Sequence, residues 1–157
     1  MNIGIIVYSQ TGNTLSVAEK LKEKLAAVRH VVVLEQVTVA GGRKSGDRAF
    51  QLETRPDVAQ YEALIFGSAV EAFSLSAVLA TYLRGIGSLE GKQVACLVTQ
   101  SFPYPWMGGN RAIRQMRRIC ESKGATVRGS AIVNWAKSRR AKTTAQAIER
   151  LSSLFQG

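Results

Sequence analysis

Ser9-Gln10-Thr11-Gly12-Asn13-Thr14 lies between two kinds of periodicity. Before it, residues 2–8 (NIGIIVY) form a short apolar run with β-branched members, and after it residues 15–27 carry apolar side chains at helical spacing. The hexapeptide is therefore a strand-to-helix turn. A helix start presents unpaired backbone N–H groups and the positive end of the helix dipole, so an anion can sit there without a formal cation. Ser9, Thr11, Asn13 and Thr14 surround Gly12 with hydroxyls and an amide, and Gly12 lets the backbone curl so that its N–H groups converge. A polar turn that merely caps the helix would need one such residue, not the whole set. A nucleoside-triphosphate loop would need Gly-Lys-Ser/Thr, but Asn13 follows Gly12. The dinucleotide fingerprint needs three spaced glycines, and none lies between Gly4 and Gly12. What remains is a cup for one terminal phosphate monoester.

The chain has 157 residues and 17.0 kDa, enough for one domain (residues 1–157) with a substantial core. At 46% hydrophobic and 20% charged residues, it is not a disordered chain. No apolar run approaches a membrane span, and the strand pattern begins at Asn2 without a basic-then-apolar leader, so a cytoplasmic location is expected. Cys96 and Cys120 sit among apolar residues without metal-ligand spacing and read as buried thiols, while His30 reads as a rim residue. Twenty-one Lys and Arg against 11 Asp and Glu give a net charge of +10, which implies attraction to something anionic.

Further strands are expected at 30–38, 61–67, 92–101 and 126–134, and helices at 75–86, 111–123 and 142–155. Core faces are read as Val17, Ala18, Leu21 and Leu25 on the first helix and as Ala145, Ile148, Leu151 and Phe155 on the last. Between residues 39 and 60 periodicity fails, so a helix there would be short or irregular, and Arg43, Lys44, Arg48 and Arg55 read as solvated loop charges. Glu35 reads as structural or exposed. Alternation of strands and helices, with right-handed crossovers, gives an α/β fold: a doubly wound five-stranded parallel sheet of order 2-1-3-4-5. Ligands then bind beyond the carboxyl ends of the strands, between the first and third. Three loops meet there: residues 9–14, 68–74 and 99–109. The first would hold phosphate; Phe73 from the second, with Phe102, Tyr104 and Trp106 from the third, could wall a slot for a flat ring.

Ser-x-Thr-Gly-Asn-Thr after the first strand closely resembles the phosphate loop of the flavodoxin family, and Gly67-Ser68 and Gly108-Gly109 also look like that family. The resemblance implies a flavodoxin-like fold of the short-chain layout, FMN as cofactor, and electron transfer. It implies that Ser9, Gln10, Thr11, Gly12, Asn13 and Thr14 bind the FMN phosphate. It also implies that Ser68, Ala69, Val70, Glu71, Ala72 and Phe73 border the ring, that Thr99, Gln100, Ser101, Phe102 and Tyr104 contact ring and ribityl, and that Gly108 and Gly109 belong to the cofactor site. Many relatives place an aromatic near the position of Glu71, and Pro or Thr where this chain has Ala69. Flavodoxins are typically acidic; a basic relative is expected to hold a less strongly reducing flavin. The partner expected is a redox protein with an acidic docking surface, with no specific nucleic acid. Two other readings stand beside the carrier. One is an NAD(P)H-dependent quinone or small-molecule reductase. The other is a basic binding module with a weakened flavin site, using Arg111, Arg114, Arg117 and Arg118 with Lys137, Arg139, Arg140 and Lys142.

Overall fold

A computed structural model of the chain describes residues 1–44 and 47–155. In chain order the elements are β1 (Asn2–Tyr8), α1 (Asn13–Ala27), β2 (Val31–Gln36), β3 (Thr38–Val39), β4 (Leu52–Thr54), β5 (Ala63–Glu71), β6 (Ser74–Leu75), α2 (Ala77–Gly85), β7 (Gln93–Gln100), α3 (Gly109–Ser122), β8 (Thr126–Asn134) and α4 (Arg140–Ser153). The central sheet runs β2-β1-β5-β7-β8, every pair parallel. This is the doubly wound α/β order read from the sequence. β6 adds an antiparallel turn to the end of β5, and β3 with β4 forms a separate two-stranded ribbon. Among the described residues no helix is long and apolar enough to cross a membrane.

The apolar strand runs become two cores because successive side chains point to opposite faces. On one face Ile3, Ile5, Val7, Ile65 and Leu97 pack against Val17, Leu21 and Leu25 of α1 and Leu151 of α4, with Phe155 beyond it. On the other, Ile6, Leu64, Phe66, Val94 and Cys96 pack against Leu79 and Leu83 of α2 and Met116 and Cys120 of α3. Both cysteines are buried and free. The expected face of α1 is the observed one. On α4 the buried residues are Thr144, Ala147, Leu151 and Ser152, and Ala145 is exposed. Ala145 lies one residue past Thr144, whose hydroxyl disguised a core position.

Two segments differ from expectation. Between β2 and β5 the described residues contain no helix; the ribbon β3–β4 and an irregular chain take its place. Val37, Val58 and Tyr61 fill part of that face, and the Tyr61 ring lies where a Cβ on Gly4 would stand, 2.6 Å away. The hydroxyl of Tyr61 donates to Glu35 at 2.5 Å, which gives Glu35 a structural role. The outer strand β2 is left with Val31 and Val33 62% and 41% exposed on this same face. The second difference is β5, which runs on through Glu71 where a loop was expected after Gly67. Ala72 and Phe73 then turn the chain into β6 with φ of 50° and 61°. Left-handed backbone suits this two-residue hairpin but is strained in residues bearing a Cβ.

Candidate functional site

Tyr8, Glu71, Gln100 and Asn134 are the last residues of β1, β5, β7 and β8, so the carboxyl ends of four neighbouring strands open on one side. A cleft of about 140 Å³ lies there. It is lined by Ser9, Gln10, Thr11, Asn13 and Thr14 from the first turn, Ala69, Val70 and Glu71 from β5, and Thr99, Gln100 and Ser101 from the end of β7.

Helix α1 begins without a cap. Its N-cap is Gly12, with φ of 90° and no side-chain hydrogen bond, and its first turn holds no acidic residue. The Leu15 N–H finds Ser9 Oγ at 3.2 Å, and the Ser16 N–H bonds the Gly12 carbonyl at 3.0 Å. The N–H groups of Asn13 and Thr14 precede any helical acceptor and lack a partner among the described residues. The Thr14 hydroxyl is turned inward and shares a 2.8 Å hydrogen bond with Thr99 Oγ1, both residues being buried. That bond ties α1 to β7 beneath the turn. Gly67 makes room for it, because a Cβ there would stand 3.2 Å from Thr14 Cγ2 and 3.0 Å from Val7.

Gln100 forms the opposite side. Its Nε2 donates to the carbonyls of Phe102 at 2.7 Å and Tyr104 at 2.6 Å, which fixes the amide orientation. Its Oε1 is buried without a hydrogen-bond partner among the described residues. An orphaned acceptor of this kind costs about 1–3 kcal/mol unless something donates to it. Gly109 permits the arrangement, since a Cβ there would collide with that oxygen.

The remaining expected residues are near the cleft but do not line it. Ser68 is fully buried and donates to the Ala69 carbonyl at 2.8 Å. Gly12 bends the turn behind the cleft. Ala72 and Phe73 form the hairpin tip, and Phe73 stacks on Phe102 with centroids 5.2 Å apart and planes at 15°. Tyr104 stacks on Trp106 at 5.6 Å and 4°. All four rings are exposed. Gly108, with φ of 114°, lets the two loops touch: a Cβ there would lie 2.8 Å from Phe73 Cα.

Three residues that the sequence did not single out belong here. Tyr8 and Trp135 line the cleft; each ends or follows a parallel strand, and that position was the available signal. The third is Arg43, expected as a solvated charge. Its side chain is 2% exposed, and its guanidinium grips Glu71 through Nη2–Oε1 at 2.9 Å and Nη1–Oε2 at 3.2 Å. It also lies over the Tyr8 and Phe50 rings at 5.7 and 5.4 Å. Burial works against the Arg43 charge, but the bonds to Glu71 and Tyr8 outweigh it and raise its pKa above the ordinary value. Gln10 Nε2 donates to the Arg43 carbonyl and so joins the phosphate-type turn to this clamp. Lys44, Arg48 and Arg55 are exposed, as expected.

No protein-family model and no curated protein matches the chain. Solved structures do. A flavodoxin of Streptococcus pneumoniae TIGR4 superimposes with a TM-score of 0.70 at 16% identity, covering 98% of this chain and 96% of its own. Oxidised flavodoxin 2 of Bacillus cereus gives 0.71 at 21% identity, with 98% and 97% covered. A flavoprotein of Lactobacillus acidophilus NCFM, solved in complex with FMN, gives 0.61 at 17%, with 93% and 97% covered. The chain has the flavodoxin-like fold over essentially its whole length.

Proposed function

We propose that this chain is an FMN-binding electron-transfer protein of the cytoplasm, serving a partner protein with an acidic docking surface. The uncapped N-terminus of α1 carries the reading: two free N–H groups, the hydroxyl of Thr11 and the amide of Asn13 surround a turn whose first helical turn holds no acidic residue, and Glu71 at the cleft wall is held by Arg43. Those groups suit a phosphate monoester. The orphaned Gln100 Oε1 offers an acceptor to an N–H or O–H of the same ligand. A fold neighbour solved with FMN adds to this by analogy of fold. When bound, FMN supplies the redox chemistry, and the protein's task is to hold it and leave an edge accessible.

A cleft of about 140 Å³ suits the phosphate end. It falls below the roughly 300–1,000 Å³ of a whole-ligand pocket, so a flat ring would extend beyond the cleft toward solvent. The rim favours an acidic partner. Arg139 lies over the Tyr104 ring at 5.6 Å and Arg140 over Trp135 at 4.6 Å, so aromatic area and positive charge stand side by side next to the cleft.

The test is the visible spectrum after incubation with FMN and removal of free flavin. Bound-flavin bands are expected in the parent and absent from Thr11→Ala/Asn13→Ala; a colourless parent refutes the cofactor. Electron transfer from the photoreduced, loaded protein to an acidic acceptor protein should slow in Arg139→Gln/Arg140→Gln. Equal rates in parent and variant would remove the proposed docking surface.

A further inference from the structure

On the other side of the β5–β6 hairpin lies a second concavity, of about 500 Å³, bounded by α2, α3 and the hairpin. Its charged lining is Arg43, Arg48, Arg84, Arg111 and Glu71. Arg43 and Glu71 neutralise one another, and Glu71 lines both this concavity and the strand-end cleft. Arg48, Arg84 and Arg111 pair with no carboxylate among the described residues, and all three are exposed. Three uncompensated guanidinium groups thus face one concavity, where low-dielectric walls concentrate the potential.

The uncharged groups point the same way. Gln115 Oε1 accepts from Ser74 Oγ and from the Leu75 N–H, each at 2.8 Å. The second of these bonds can only be made by an acceptor, so the amide orientation is fixed and the Gln115 Nε2 is a donor. It has no partner among the described residues. The N-terminal turn of α2, which borders the concavity at Ala77, contains no acidic residue. Donors therefore dominate a volume of small-molecule size.

We infer that this groove binds a small organic polyphosphate, of the nucleoside diphosphate class, through Arg48, Arg84, Arg111 and the Gln115 amide. A polyphosphate matches the three positive charges, and its oxygens are acceptors that suit the planar fork of arginine. An acidic protein segment is the competing occupant of a basic surface. It fits less well, because the exposed aromatic rings that a protein interface would use lie across the hairpin around Tyr104 and Trp106, not in the groove. The inference stands apart from the flavin reading and uses none of the residues of the first turn.

The experiment is a calorimetric titration of the chain with ADP in the absence of divalent metal, alongside amide chemical shifts. Shifts are expected at Ala77, Ala80, Thr81 and the Gln115 side chain. Arg84→Gln/Arg111→Gln should weaken binding at least about tenfold, from the loss of charge-assisted bonds. Arg114→Gln/Arg118→Gln removes the same charge from exposed positions of α3 outside the groove and should change affinity less than about twofold. Thr11→Ala/Asn13→Ala should leave ADP binding intact. No binding, equal losses in the two arginine pairs, or loss in the turn variant would each overturn the inference. Hexaglutamate that binds more tightly than ADP with the same dependence on Arg84 and Arg111 would also overturn it, and would assign the groove to a protein partner.

Discussion

Arg43 and Glu71, 28 residues apart in sequence, meet in a forked ion pair at 2.9 and 3.2 Å with side chains 2% and 7% exposed. The pair is the clamp that holds the helix-free crossover against the end of β5. Taking both charges from water offsets much of their attraction, so the pair itself adds little stability, whereas losing Arg43 removes the forked charge-assisted bonds from a buried carboxylate. Arg43→Gln is expected to destabilise the fold by about 3 kcal/mol, read from urea unfolding. Arg43→Met/Glu71→Leu should recover most of that loss. A single variant as stable as the parent would show that the clamp carries nothing.

Gly108 admits no side chain. Alanine there would meet Val70 Cγ1 at 2.7 Å and Phe73 Cα at 2.8 Å while holding φ at 114°. Strain of about 1–2 kcal/mol for the left-handed backbone adds to about 1–3 kcal/mol for overpacking. Gly108→Ala should therefore cost about 2–5 kcal/mol and lower the melting temperature by about 10 °C. An unchanged thermal transition would contradict the close approach of the two loops.

The end of α1 can be improved. Arg29 has φ of 71°, and the His30 N–H reaches the Leu25 carbonyl while the Arg29 N–H reaches Ala26, the bonding pattern that glycine usually completes. Arg29 is exposed, so only its backbone matters. Relief of left-handed strain, about 1–2 kcal/mol, exceeds the added chain entropy of glycine, about 0.5–1 kcal/mol. Arg29→Gly is expected to raise stability by about 0.5–1 kcal/mol; a lower urea midpoint would reverse the argument.

The order and pairing of the five parallel strands were legible because residues buried on both faces give continuous apolar runs, as in Val94 to Val98, and the helices between them keep a 3.6-residue period. The first turn was legible as a strand-to-helix turn from the change of periodicity across it. The extension of β5 through Ser68, Ala69 and Glu71 was not, because polar residues end the apolar run while the backbone pairing continues to Ala69 opposite Thr99. Arg43 could not be read from its neighbours, since Gly41, Gly42 and Lys44 describe a loop and its partner lies in another strand. The aromatics were placed in the right loops. Their stacking on one another depends on Gly108, whose role appears only once two distant loops are brought together.

Alkaline pH should weaken the fold from within. Burial pushes the Cys120 thiol from 9.0 up to about 12, and burial with the bond to Glu35 pushes Tyr61 from 10.0 to about 12; Cys96 and Tyr82 also rise through burial. Each group holds its proton more tightly when folded, so its contribution is complete below the unfolded value and is lost as pH climbs to the folded one. Urea midpoints should stay level with respect to these groups up to about pH 9 and fall between about pH 9 and 12. In Cys96→Ala/Cys120→Ala the decline should begin about one pH unit later, where tyrosine takes over. An identical onset in parent and variant would mean that the thiols are not shielded.

The uncovered face of β2 has a consequence at the level of colloidal behaviour. Val31 and Val33 stand exposed on an outer strand whose far side has no neighbour in the sheet among the described residues, an invitation for another copy to add itself edge to edge. Mutual repulsion between chains of net charge +10 opposes that encounter. Salt shortens its reach from about 10 Å at 0.1 M to about 3 Å at 1 M, so concentrated solutions should scatter more light as salt is added. Val33→Lys should suppress that rise by restoring, on one strand, the protection that the missing crossover helix would have given.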